Sequence, residues 1–184
     1  MAEQQDPVDK IKQQWQQECP DLRLEAMEIL GRLKRCSVLY QPFLDVKFEQ
    51  FGLTSWEFDV LATLRRSGAP FTLTPTELFS TLMVTSGTMT HRLKSLENKQ
   101  LIQRAPNPTD ARHKLVQLTE KGLQTVNRAL VAHVDNMEAI LEPLNEQQKA
   151  QLNQSLTQLL QVFETLHKDQ KLAKEMLNAR MHGL

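Results

Sequence analysis

Two helix-start signals stand so close together that only a short helix fits between them. Thr74-Pro75-Thr76-Glu77 is a capping box, with a hydroxyl at the N-cap, a carboxylate three residues on, and proline at the first helical position, where its missing N–H costs nothing. A fresh cap at Thr85 or Ser86 comes next, which limits the first helix to two turns through Leu78, Phe79 and Leu82. The second helix is longer, with Met89, Leu93 and Leu96 on its inner face. A short helix, a tight turn and a longer helix are the outline of a helix-turn-helix.

The segment after that helix pair narrows the outline further. Leu101-Ile102-Gln103-Arg104 leads into the turn-rich Pro106-Asn107-Pro108-Thr109-Asp110, and Lys114-Leu115-Val116-Gln117-Leu118 alternates roughly between apolar and polar residues. Two short strands around a polar tip make a β-hairpin, and a loop longer than a two-residue turn should project from the body as a wing. Upstream, Gly68 and Pro70 end a helix, and Phe71-Thr72-Leu73 is too short for another before the next cap, so it reads as a small strand.

Helices flank this lobe on both sides. Val8–Glu18 reads as a short helix carrying Ile11 and Trp15 at i, i+4 spacing, stopped before Pro20. Asp21 is in place to cap a second helix running through Leu24, Met27, Leu30 and Val38 toward Phe51, with Pro42 expected to kink or break it and Gly52 to end it. Thr54-Ser55-Trp56-Glu57 is another capping box, ahead of the apolar run Phe58, Val60, Leu61 and Leu64. Thr119 caps a helix that lasts to about Leu141, before Pro143, and Asn145 caps one with Leu152, Leu156, Leu159/Leu160, Phe163 and Leu166 at 3–4 spacing. So regular a stripe reads as dimer core, while the tail after Lys168 either extends that helix or frays. The expected fold is mainly α: a winged helix-turn-helix with a small β-hairpin wing and long N- and C-terminal dimerisation helices. Its expected parts are residues 1–53 (N-terminal dimerisation helices), 54–118 (the winged lobe) and 119–184 (C-terminal dimerisation helices and tail).

Composition enters mainly by exclusion. A length of 184 residues with 40% apolar content suits one compact domain with helical extensions, and 6 Gly and 8 Pro argue against a loop-rich or disordered chain. The 22 basic residues cancel the 22 acidic ones, but not locally. Residues 1–30 carry a net −4, whereas residues 86–114, with Arg92, Lys94, Lys99, Arg104, Arg112 and Lys114 against Glu97 and Asp110, carry +4. Such asymmetry points to an anionic partner for the lobe. No stretch approaches the 18 consecutive apolar residues of a membrane span, and the N-terminus lacks a secretion signal, so a cytoplasmic protein without a membrane partner is expected. Glycine-rich phosphate loops, paired catalytic carboxylates in a recognisable frame and nucleophile motifs are all missing, which argues against an enzyme. The five histidines are scattered without ligand spacing, so neither a metal nor another cofactor is expected.

With Met89, Leu93 and Leu96 turned inward, the second helix leaves Ser86, Thr88, His91, Arg92, Lys94 and Ser95 over its remaining surface, where they can meet base edges and phosphates in a major groove. At the hairpin tip Asp110 can fix the loop and orient Arg112, and an arginine there can enter a narrow A·T-rich minor groove. Double-stranded DNA is therefore the expected partner.

These residues carry a resemblance. Leu101–Ile102, Asp110-Ala111-Arg112, Leu118-Thr119 and Gly122 resemble the D-x-R…L-T-x-x-G wing signature of multiple-antibiotic-resistance-type (MarR) regulators. Leu73-Thr74-Pro75-Thr76-Glu77-Leu78 and Ser86-Gly87-Thr88-Met89-Thr90 resemble that family's recognition region, the whole covering roughly residues 22–167. The resemblance implies a homodimer that places each winged helix in one half of a pseudo-palindromic DNA site, usually as a repressor released by a small phenolic or anionic ligand. It also adds Thr74, Thr76 and His113 to the residues expected at DNA. A narrower resemblance is to members that respond to urate-like anions and carry an extra N-terminal helix, which Val8–Glu18 looks like. Trp15, Asp59, Arg92 and Arg104 fall where that subgroup has its Trp, Asp and two Arg positions, which implies a pocket for a urate-like purine or a phenolic acid. Trp15 and Arg92 would hold the ligand, Asp59 would respond to its charge, and Arg104 would link pocket to DNA lobe. The chemistry is coherent by itself, since an aromatic face, a cation and a carboxylate can hold a planar anion by stacking and charge-assisted hydrogen bonds.

Simpler readings stand beside these. Trp15 also reads as an anchor for the first helix, and Asp59 and Arg104 as a salt bridge. Cys19 and Cys36 open the alternative of a thiol-based redox sensor, because relatives that sense peroxide use an N-terminal thiol. A winged helix that binds only another protein is the remaining alternative, because a fold does not fix a function.

Overall fold

The structure is a computed structural model that describes residues 5–82, 89–107 and 114–182, with side chains described for all of these except 89–91 and 171–182. Contacts divide the chain into two compact units, Met1–Asn136 and Met137–Leu184.

The first unit begins with α1 (Pro7–Glu18), opened by Asp6, whose carboxylate accepts hydrogen bonds from Val8 N and Asp9 N. Only Val8 of this helix is buried, and it packs where a Cβ on Gly31 would lie 3.2 Å from its Cγ1. The rest of the attachment is ionic. Arg32 reaches Asp6 at 2.7 Å, Asp9, and Glu28 at 3.7 Å, while Lys12 pairs with Glu28 at 2.8 Å.

The next helix departs from the sequence expectation at its start, and it is not broken at Pro42. α2 (Glu25–Glu49) has Leu24 rather than Asp21 as its N-cap, with no side-chain cap bond. Leu24 is buried, so the helix entry is fixed by an apolar side chain instead of a carboxylate. Pro42 lies inside an unbroken helix. An interior proline costs about 3 kcal/mol, and beyond it Leu44 and Phe48 pack into the core and hold the last turns in line. Gly52 then takes φ +67°, as a residue closing a helix should.

α3 (Ser55–Arg66) starts at the expected capping box and buries Phe58, Val60, Leu61 and Leu64. β1 (Thr72–Leu73), α4 (Pro75–Leu82), α5 (Met89–Asn98), β2 (Ile102–Ala105) and β3 (Leu115–Leu118) complete the lobe. The strands form an antiparallel sheet of order β1-β3-β2, with Ile102 opposite Leu118, Ala105 opposite Leu115, and Thr72 opposite Gln117. The β2–β3 hairpin is the wing, and the pairing of β1 with β3 ties its base to the helix-turn-helix. Leu78 of α4, Leu93 and Leu96 of α5, Ile102 and Val116 of the sheet, and Phe48 meet in one core with α3.

α6 (Glu120–Leu141) begins against this lobe, where Thr119 donates from its hydroxyl to Gln100 O and accepts from Gly122 N. Gly122 lies so near the lobe that an added Cβ would stand 1.9 Å from Leu101 O. In the second unit α7 (Glu146–His182) starts at Asn145, whose side chain accepts from Gln148 N, and continues as one helix through the tail. Leu152, Leu156, Leu160, Phe163 and Leu166 on it are exposed.

Candidate nucleic-acid interface and anion pocket

α4 is held by its own N-terminal chemistry. Thr74 Oγ1 accepts from Glu77 N at 3.2 Å, and Glu77 accepts from both the backbone N–H and the hydroxyl of Thr74 at 2.8 Å. Those bonds hold the Glu77 carboxyl below its usual range. Thr76, one position into the helix, is exposed. On α5 the buried Leu93 and Leu96 settle which way the helix faces, and Lys94 between them is exposed. Ser95 turns the other way and donates to Glu57 Oε1 at 3.3 Å. Ser86, Thr88, Arg112 and His113 lie outside the described residues, as does the side chain of His91.

The four residues singled out for a ligand do not line one cavity. Arg92 stacks its guanidinium over the Trp56 ring at 5.3 Å. Arg104 pairs with Glu97, which joins β2 to α5. Trp15 stands 44% exposed on α1. Asp59 lines a cavity of about 630 Å³ whose wall also includes Thr63, Arg65, Arg66, Thr81 and Asn127. Trp15, Arg92 and Arg104 are not among the lining residues.

Phe58, Val126 and Leu130 give that cavity its apolar lining. Desolvation by the protein around it pushes the Asp59 carboxyl up, and His133 and Arg66 nearby oppose the shift. Arg65 is oriented by a 2.8 Å bond from its Nε to Asn127 Oδ1 and by the Phe71 ring beneath it, with 5.0 Å from guanidinium to centroid. His133 packs against Phe48 and Phe58, with centroids 5.0 and 5.1 Å apart. Burial lowers the pKa of its imidazole, against the pull of Asp59, and its Nδ1 has no hydrogen-bond partner among the described residues. Arg65, Arg66, Asn127 and His133 escaped the sequence reading. A signal existed for one of them, because Asp59, Thr63 and Arg66 recur at i, i+4, i+7 and so share a helix face.

Neither thiol is paired. Cys19 is half-buried at the end of α1 and Cys36 is exposed on α2.

A short α4 leading to α5, and then a β-hairpin on a three-stranded sheet, define a winged helix. The chain belongs to the MarR family of transcription regulators. The MarR family profile matches residues 53–114. The chain is 41% identical over 145 residues to the HTH-type transcriptional regulator PecS of Dickeya dadantii, which covers 79% of this chain and 87% of that protein. A mutant of Escherichia coli MarR complexed with operator DNA superposes with a TM-score of 0.65 at 27% identity, over 76% of this chain and 99% of that one. The MepR–DNA complex of Staphylococcus aureus gives 0.64 at 26% identity, over 72% and 96%. No helix among the described residues is long and apolar enough to cross a membrane.

Proposed function

We propose that two copies of this chain bind one double-stranded DNA site as a sequence-specific transcription repressor, and that a small planar anion releases them. The observation that carries the reading is the lobe itself: α5 rests on Leu93 and Leu96, presents Lys94 outward, and leads into the β2–β3 hairpin. Its likeness to two relatives solved with DNA supports the same reading. Thr76 and Lys94 face outward, where phosphates and base edges would meet them, with Thr74, Ser86, Thr88, His91 and His113 completing the surface that the family resemblance implies, while Ser95, bonded to Glu57, drops out of it. Pairing is supported by apolar side chains left exposed on α2 (Val38, Leu39, Phe43, Val46), on α6 (Val131, Val134) and on α7. A dimer would set the two recognition helices about 34 Å apart, one turn of duplex. The protein would act as a regulator rather than a catalyst, in the cytoplasm, where its operator would be.

The test is a gel shift on the chain's own upstream DNA at rising salt. Affinity should fall with a log–log slope near −0.9 for each phosphate neutralised. A salt-independent interaction, or none, would leave only a protein-docking module.

For the effector, the cavity beside Asp59, with Arg65 and Arg66 on its wall, supports an anionic ligand such as a urate-like purine or a phenolic acid. Trp15, Arg92 and Arg104 would join Asp59 once the ligand is bound, as the resemblance implies. In a urate titration of the protein–DNA complex, both Trp15→Ala and Arg66→Gln should blunt release, each by about tenfold or more in half-effective concentration, while binding of free protein to DNA persists. An unchanged dose-response in both variants would remove the ligand from this region.

A further inference from the structure

Glu57 is 1% exposed, although the glutamate of a capping box ordinarily stands at a solvated helix start. One bond serves the cap: its Oε2 accepts from Thr54 N at 3.0 Å. The others serve α5. Lys99 Nζ donates to Glu57 Oε2 at 2.6 Å and to Gly52 O at 3.0 Å, and Ser95 Oγ donates to Oε1 at 3.3 Å. Further bonds gather at the same end of the recognition helix, from Lys121 Nζ to Lys99 O at 2.8 Å and between Arg104 and Glu97.

Burying the Glu57 carboxylate carries a desolvation cost that its pairing with the 40% exposed Lys99 side chain offsets, and the best-attested use of such a pair is to fix one arrangement among several. Here the arrangement is the angle between α3 and α5. We propose that Glu57 and Lys99 are positioning residues that set the recognition helix at the angle required to read its operator. This role rests on the proposed function as a DNA-binding regulator. Because Lys99 spends its ammonium on Glu57 and Gly52, it acts on DNA through the helix it fixes and not as a phosphate contact.

The probe is the tightest duplex that the wild-type protein selects from a random-sequence library, compared with a scrambled duplex of equal length. Lys99→Met keeps the apolar stem without the charge, and Glu57→Gln keeps a side chain that suits the capping box. Each should weaken binding to the selected duplex by about tenfold while the scrambled duplex is bound as before with an unchanged salt slope. The double variant should lose little more than either single one, because both changes break the same link. Equal loss on both duplexes, or a slope shallower by about 0.9, would make Lys99 a phosphate contact and overturn the proposal. A lower melting temperature with an unchanged ratio of selected to scrambled affinity would reduce the pair to a structural role and also overturn it. Should Lys99→Met fail to fold, Glu57→Gln alone decides by the same ratio. If the wild-type protein enriches no duplex, the regulator reading fails along with this one, whereas an unchanged ratio on an enriched duplex overturns the positioning role alone.

Discussion

Gly122→Ala is expected to destabilise the protein by about 3 kcal/mol or more, measured by urea denaturation at equilibrium. The methyl group would stand 1.9 Å from Leu101 O and 2.9 Å from Leu101 C, and both of those atoms are backbone. No side chain can swing aside, so either α6 shifts off the lobe or the strand entry at Leu101 moves. Either shift strains the hydrogen bond from Thr119 N to Leu101 O and the one from the Thr119 hydroxyl to Gln100 O. The effect should therefore include impaired DNA binding by the fraction that still folds, since Leu101 lies next to β2. A loss below about 1 kcal/mol would show that α6 can retreat freely, contrary to so close an approach.

Phe48→Ala is expected to cost about 3–5 kcal/mol. Phe48 is 2% exposed, stacks on Phe58 with centroids 4.2 Å apart, and touches His133, so a single ring joins α2 to α3 and α6. Its removal leaves a cavity where three helices converge, beside the wall of the Asp59 pocket that Phe58 helps to form. Denaturant midpoints should fall with little change in slope, as in loss of a packed side chain from a cooperative core. A penalty under about 1.5 kcal/mol would mean that Phe58 and His133 collapse into the space.

The features legible in the sequence were those that neighbours along the chain decide. The capping boxes at Thr54 and Thr74, the cap at Asn145, the inward face of α3 and the inward Leu93 and Leu96 of α5 depend on residues a few positions apart, and each is where the spacing placed it, with the side chain of Met89 outside the described residues. Tertiary packing decided the exceptions. Pro42 reads locally as a kink or a break, and the helix is unbroken there because Leu44 and Phe48 anchor it beyond, while Asp21 reads as a cap, but burial of Leu24 sets the helix start. β1 announced a strand without announcing β3 as its partner. The candidate site was less legible for the same reason. Glu57 and Lys99 are 42 residues apart, and Arg65 and Asn127 are 62 apart. Periodicity cannot foresee such meetings, and it cannot distinguish Ser95 facing Glu57 from a serine facing a duplex.

The first helix leaves a quieter consequence. Its single buried side chain and its half-buried ion pairs, each worth about 1 kcal/mol or less, give it a hold that is ionic as much as apolar. Such a hold should loosen at raised ionic strength before the apolar core of the lobe does, as a unit of low local stability would. Dissolved ions compete for its carboxylates and for the Arg32 guanidinium that meets them, so how firmly this helix holds becomes a property of the medium as much as of the protein.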